Sequence, residues 1–220
     1  MKKSKKSAFF PLLINLQKFP CLVVGGGEVA MRKVKVLLDY KASITVLSPR
    51  ICNPLSVLIK TKNIKLIKKY YSKEYLKEFK IVFSATDDRE VNKTIYDDCN
   101  KAGIIINVAD TPDLCDFILP ATVKQKDLTI SISSQGKAPF MAKDIKQRLE
   151  HIYSDIYADI MELAGDFRNS ILKNKKFITQ KGKTAAFNKF LTIDWRRLIR
   201  NEGKNKARKE MQKLLKELEK

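Results

Sequence analysis

Three short groups of residues in this chain have the types and spacing that chemistry needs. The first is Gly25-Gly26-Gly27-Glu28-Val29-Ala30, directly after the apolar run Cys21-Leu-Val-Val24. Gly25-x-Gly27-x-x-Ala30 fits the turn that joins a strand to a helix and holds a dinucleotide pyrophosphate. Gly25 permits the tight turn, Gly27 lets backbone approach phosphate, and Ala30 lets the helix pack close on the strand. The helix expected from Glu28 would aim its unpaired N–H groups and the positive end of its dipole at the phosphates. The second group centres on Asp110, behind the apolar run Ile104–Ala109 and two residues ahead of Pro112. A carboxylate there, beside a bound apolar ring, has the placement of an acid–base group; its simpler role is to cap the turn. The third is Ser133-Ser134-Gln135-Gly136, which can hold an anionic ligand edge or serve only as a helix-capping turn.

Alternating apolar runs and helical periods supply the frame. Strands are expected at 18–24, 42–48, 64–71, 80–86 and 104–109. Helices are expected at 28–38, around 55–59 and from 89 to 101, the last capped by Asp87-Asp88 and closed by Gly103. Such βαβ units make a parallel sheet, and ligands gather at the carboxyl ends of its strands. That rule adds Ser48, Pro49 and Arg50, then Thr86 and Asp87, then Asn107, to the candidates. The adenine ribose of a dinucleotide usually meets an acidic residue after the second strand, but here the strand ends in Ser48-Pro49-Arg50. Ser48 can bond a ribose hydroxyl and Arg50 can stack on adenine or meet a 2′-phosphate, so NAD and NADP both remain open at this point. After residue 113 the pattern changes. Two antiparallel strands are expected at 117–123 and 128–133, then one long amphipathic helix from Ala138 to about Leu172, then a lysine-rich connection and a last helical section.

Of the 220 residues, 44 are Lys or Arg and 24 are Asp or Glu, a net charge of +20. Such a surface attracts anions. The cations are spread along the whole chain without the interleaved aromatics of a single-strand groove, which argues against nucleic acid. Compositional bias or a small polyanionic substrate explains the charge as well. No apolar run approaches the roughly 20 residues of a membrane span, and the lysine-rich start before Pro11 reads as a basic lead rather than a signal sequence. The four cysteines lack metal-site or disulfide spacing, so reduced cytosolic thiols and no fixed metal centre are expected. His151, the single histidine, falls on the long helix and reads as a surface or interface residue.

Taken together the motifs resemble the precorrin-2 dehydrogenase and sirohydrochlorin ferrochelatase family, which includes the N-terminal part of siroheme synthases. The resemblance runs over about 150 residues: Phe10-Pro-Leu-Leu-Ile-Asn-Leu16, Val24 to Ala30 with Arg32-Lys33, Ser84-Ala-Thr-Asp-Asp88 with Val91-Asn92, Asn107-Val108-x-Asp110, Asp116-Phe117-Ile118-x-Pro120, and Ile132 to Pro139. It implies an α/β fold with a Rossmann-type parallel sheet (1–113), a small antiparallel dimerisation region (114–150) and a helical C-terminal region (151–220), assembled as a cytoplasmic homodimer. The implied reaction is oxidation of precorrin-2 to sirohydrochlorin by NAD, in some members followed by Fe²⁺ insertion. Carried over by position, Glu28-Val29 and Pro49-Arg50 line the cofactor site and Asp110 is catalytic; Asn107, Phe117, Ser133 and Ser134 are the expected substrate contacts. A substrate with eight carboxylates suits the positive charge. A non-enzymatic nucleotide-sensing or nucleic-acid-binding regulator is the competing class, but it would not need Asn107-Val-Ala-Asp110 followed by Phe117-Ile-Leu-Pro120. Gln135 stands where relatives often have glycine, and the segment after Leu172 carries little family character.

Overall fold

A computed structural model describes residues 8–219; the basic lead at 1–7 lies outside them. The chain divides into two compact units, Met1–Leu119 and Pro120–Lys220. In the first unit, strands β1 (Cys21–Val24), β2 (Ile44–Leu47), β3 (Lys65–Ile67), β4 (Ile81–Ser84) and β5 (Ile105–Val108) alternate with helices α1 (Glu28–Asp39), α2 (Asn53–Thr61) and α3 (Arg89–Ala102). The strands form one parallel sheet in the order β3-β2-β1-β4-β5.

The central strands are apolar at nearly every position because both sheet faces are covered. The period of two divides their side chains: Cys21 and Val23 join Ala30, Val34, Leu37 and Leu55 on the α1–α2 side. Leu22 and Val24 join Ile95 and Cys99 of α3 on the other. The chain winds outward from β1 to β3 and then crosses back to β4, so the order reverses between β1 and β4. Open sheets of this kind bind ligands at that switch point. Strand β3, expected over 64–71, narrows to three residues on the sheet edge, where its flanking lysines stay in solvent. Two helix ends follow the sequence reading. Asp88 accepts hydrogen bonds from the N–H groups of Glu90 and Val91, and Gly103, at φ +65°, closes α3.

The second unit opens with the hairpin β6 (Ala121–Gln125) and β7 (Leu128–Ile132), which are antiparallel and turn at Lys126-Asp127. Helices α4 (Pro139–Ile152), α5 (Ile156–Lys173), α6 (Gln180–Leu191) and α7 (Trp195–Leu218) follow. The single helix expected from Ala138 to Leu172 is therefore two. The Tyr153 N–H closes α4 on the Leu149 carbonyl, and the Asp155 carboxylate caps α5 at the Ile156 N–H. The core unites Leu163, Phe167 and Ile171 of α5, Phe190 of α6, and Trp195, Ile199 and Met211 of α7. Trp195 stacks on Phe190 at 4.6 Å and donates from Nε1 to the Phe190 carbonyl at 2.8 Å. Lys204 of α7 pairs with Asp159 and Glu162 of α5 at 2.8 Å each. Among the described residues no helix is long and apolar enough to cross a membrane.

Candidate active site

At the end of β1 the three glycines have three distinct surroundings. Gly25 takes φ +123°, and a Cβ there would lie 2.2 Å from the Ala85 carbonyl oxygen. Only glycine fits so close a crossing of the β1 and β4 ends. Gly26 is pressed against the β2 end, where a Cβ would lie 1.8 Å from the Arg50 carbonyl oxygen and 2.7 Å from Ser48 Oγ. The sequence pattern assigns no task to this middle glycine. A Cβ on Gly27 would meet no atom within 4 Å. Gly27 is also the N-cap of α1 and brings no side chain to the helix start, whose first intrahelical bond runs from the Met31 N–H to the Gly27 carbonyl. The N–H groups of Glu28, Val29 and Ala30 therefore face open space in front of a positive helix end. Ala30 is fully buried against the sheet. This cradle has the shape and donors that a dinucleotide pyrophosphate needs.

At the end of β2, Ser48 is buried and donates to the Arg50 carbonyl at 2.5 Å, while the Arg50 side chain is exposed. The Cys52 N–H donates to the Gly26 carbonyl at 2.8 Å and ties the Ser48-Pro49-Arg50 loop to the glycine turn. The end of β4 is held by a network whose members stood in the sequence only as a strand-end candidate, Thr86, and as parts of a motif, Ser84 and Asn92. Asn92 of α3 is buried, and its Oδ1 accepts from Ser84 Oγ at 2.6 Å and from Thr86 Oγ1 at 2.8 Å, while its Nδ2 donates to the Thr86 carbonyl at 3.0 Å. That fixes the Thr86-Asp87 loop at the switch point, with Asp87 in solvent.

The end of β5 carries the densest polar cluster. Asn107 is buried; its Oδ1 accepts from Lys33 Nζ of α1 at 2.9 Å and its Nδ2 donates to the Phe117 carbonyl at 2.9 Å. The Phe117 ring meets Phe83 edge-on at 5.4 Å, so the ring serves the core and its carbonyl serves Asn107. The chain after β5 folds back along that edge strand. The Ile106 N–H donates to Asp116 Oδ2, the Asp116 N–H to the Ile106 carbonyl, and the Val108 N–H to Cys115 Sγ. Asp110 stands at the apex of this return, exposed and at φ +56°. A left-handed backbone is uncommon outside glycine, and aspartate and asparagine are among the residues that tolerate it best.

Asp110 lines a groove of about 440 Å³ with Arg32, Lys33, Asn107, Thr111 and Cys115, closed by apolar side chains such as Val29 and Ile118. Burial pulls the Lys33 ammonium below the ordinary lysine pKa, an effect that Cys115 and Asp110 oppose and Arg32 reinforces. Burial likewise raises the Cys115 thiol, against a hydrogen bond with Val108 and the charge of Lys33. The groove thus brings Val29, Asn107 and Asp110 of the sequence reading together with Lys33. The lysine was visible in the sequence only as part of the Arg32-Lys33 pair. Among the described residues no cluster of three or more His, Cys, Asp or Glu side chains could hold a metal ion.

Ser133 and Ser134 belong to the second unit. There Ser133 Oγ accepts from the Gln135 N–H and Ser134 Oγ accepts from the Ala138 N–H, both at 3.0 Å, ahead of α4. Gln135 takes φ +54° and Gly136 φ +76°. The position where relatives often carry glycine is thus one that glycine would occupy without strain.

An open parallel sheet with a glycine cradle and bare helix N–H groups at its switch point defines a dinucleotide-binding protein of the Rossmann type. The chain belongs to the family whose model, described as putative NAD(P)-binding, matches residues 12–121. A siroheme synthase of Psychrobacter sp. (strain PRwf-1) is 42% identical over 162 residues, covering 74% of this chain and 33% of that protein. The siroheme synthase of Pseudoalteromonas translucida is 35% identical over 173 residues, covering 79% of this chain and 37% of the relative. The chain therefore spans about a third of the length of the curated relatives it matches. Among solved structures, "SirC, precorrin-2 dehydrogenase" superposes with a TM-score of 0.71 at 22% identity, covering 96% of this chain and 99% of that one, which establishes a shared fold.

Proposed function

We propose that this chain is a precorrin-2 dehydrogenase, oxidising precorrin-2 to sirohydrochlorin with NAD in siroheme biosynthesis. The observation that carries the reading is Asp110, held in a left-handed turn at the mouth of a groove walled by the same helix, α1, that starts at the dinucleotide cradle. The names of the relatives and of the superposed structure support the substrate class.

The reaction removes a hydride and a proton from the tetrapyrrole, giving sirohydrochlorin, NADH and H⁺. NAD, when bound, supplies the hydride acceptor. Gly25, Gly26, Gly27, Glu28 and Val29 would hold its pyrophosphate, Ser48, Pro49 and Arg50 would border its adenosine, and Thr86 and Asp87 would complete the cofactor site. Asp110 takes the proton or orients the ring that loses it, a role for which a positioned general base typically contributes 10²- to 10⁴-fold. Asn107 lines the substrate groove and Phe117 holds that amide in place through its carbonyl, while Ser133 and Ser134 of the second unit are proposed separately as hydroxyls for substrate carboxylates.

We further propose a cytoplasmic homodimer built through the region 114–150. An apolar stripe on α4 supports it: Met141, Ile145 and Ile152 recur on one face and are all exposed, with Phe140 beside them. The test is anaerobic incubation of the purified chain with precorrin-2 and either NAD or NADP, identifying the product by its absorbance spectrum and mass. Sirohydrochlorin formed faster with NAD is the expected result, and no dinucleotide-dependent product would refute the proposal. Fe²⁺ added to the finished reaction then reads out whether the chain also inserts iron, the activity expected of some members of the family.

A further inference from the structure

We infer that Lys33 is a specificity-determining residue that anchors a carboxylate of the substrate beside Asp110; the inference rests on the groove being the substrate's. Lys33 lies in the second turn of α1 and sends its ammonium across to the β5 end, 2.9 Å from Asn107 Oδ1 and 6.0 Å from the centre of the Phe83 ring. The amide that receives it cannot rotate away, because Asn107 Nδ2 is committed to the Phe117 carbonyl at 2.9 Å. The ammonium is thus held in one place, unlike a lysine that waves in solvent.

An ammonium has three donors and no acceptor. Among the described residues Lys33 makes its one hydrogen bond to a neutral amide and no ion pair, which leaves two of its three donors without a protein acceptor at the groove it lines. A half-buried cation without an ion pair has lost hydration that the nearby charge of Asp110 only partly offsets. An amide partner alone does not require a cation, since a neutral donor would serve Asn107 as well. Arg32 lines the same groove, so two cations face the single carboxylate of Asp110. That excess suits a ligand bringing carboxylates of its own. The pyrophosphate of a dinucleotide has its donors elsewhere, at the N–H groups of residues 28–30, which lie one turn earlier on the helix. Lys33 accordingly binds the tetrapyrrole's edge and fixes which part of the macrocycle meets Asp110.

Three substitutions separate charge from structure. Lys33→Gln keeps a donor for Asn107 and removes the charge, Lys33→Arg keeps the charge, and Lys33→Met removes both. The full chain is titrated with sirohydrochlorin and, separately, with NAD at low and high salt. Thermal midpoints are recorded, and KM and kcat are measured with precorrin-2. Loss of one charge-assisted bond in a partly desolvated groove predicts a 10- to 100-fold weaker Kd for sirohydrochlorin in Lys33→Gln. A flatter salt dependence should accompany it, with KM rising more than kcat falls and the NAD Kd and thermal midpoint unchanged. Lys33→Arg should recover most of the affinity. Sirohydrochlorin binding equal to wild type in Lys33→Gln, or an equal loss of NAD affinity, overturns the inference while leaving the dehydrogenase reading intact. A wild-type chain that neither binds nor oxidises the tetrapyrrole overturns both.

Discussion

Gly26→Ala and Gly27→Ala, adjacent substitutions of identical chemistry, should fail in opposite ways. At Gly26 the new methyl would sit 1.8 Å from the Arg50 carbonyl oxygen and 2.7 Å from Ser48 Oγ. The obstruction is backbone, tied back to Gly26 by the Cys52 N–H at 2.8 Å, so it cannot rotate away as a side-chain tip would. Overpacking of this kind costs about 1–3 kcal/mol, and in a chain of this size each kcal/mol lowers the thermal midpoint by about 2–4 °C. At Gly27 the methyl meets no protein atom within 4 Å, and φ −84° suits alanine. The remaining cost is the poorer N-cap, offset by the reduced freedom of the unfolded chain, so the midpoint should stay within about 2 °C of wild type. The methyl would instead occupy the space before the α1 N–H groups. NAD affinity should fall by about tenfold or more, corresponding to about 1.4 kcal/mol. Differential scanning fluorimetry and NAD titration by calorimetry read both quantities. If Gly27→Ala binds NAD as wild type does, or melts as early as Gly26→Ala, the cradle has been assigned wrongly.

Four further outcomes are expected. Asp110→Asn keeps a residue that tolerates φ +56°, so the fold and NAD affinity should persist while turnover falls by about 10²-fold or more; wild-type turnover would remove Asp110 from the chemistry. Asn92→Ala strands the buried Ser84 hydroxyl and frees the Thr86 loop, and should cost about 1–3 kcal/mol in denaturant unfolding, a cost absent if the network is incidental. Burial pushes the Cys21 thiol up to about 11 and the Cys99 thiol up to about 12. Because both are raised above the unfolded value of 9.0, their contribution is intact below pH 9 and lost as pH rises through the folded values. Chemical melts from pH 8 to 11 should show that decline and Cys21→Val should flatten it, whereas an unchanged slope would count against the assignment. Ile145→Glu on α4 should convert a dimer to monomer in light scattering, and a wild type already monomeric would refute the homodimer.

Much of the fold was legible because local signals and the global architecture agreed. The glycine turn, the period of two in the strands, the Asp88 cap and the Gly103 stop each act within a few residues. Legibility failed where distance in the chain or a break in register decided. The apolar spacing of Leu149, Ile152, Ile156 and Ile160 runs unbroken through Tyr153–Asp155, so the split between α4 and α5 left only the capping Asp155 as a signal. Gly203, at φ +80°, similarly interrupts α7 without a change in composition around it. In the site, Asp110 stood out through its place after a strand. Lys33 did not, because Asn107, the partner that holds it, lies 74 residues away and lysines are common throughout this chain. Gly26 reads as a spacer in the motif, because the Arg50 carbonyl that demands glycine there comes from the end of a different strand.

The proposed activity is the coupling of a dinucleotide to oxidation of a tetrapyrrole. Its most direct measurement follows NADH absorbance and the tetrapyrrole bands together in one anaerobic reaction with purified protein. One NADH should appear for each sirohydrochlorin formed, with both traces rising together and both abolished by omitting NAD. Sirohydrochlorin forming equally fast without NAD, or no oxidation of precorrin-2 at all, would contradict it.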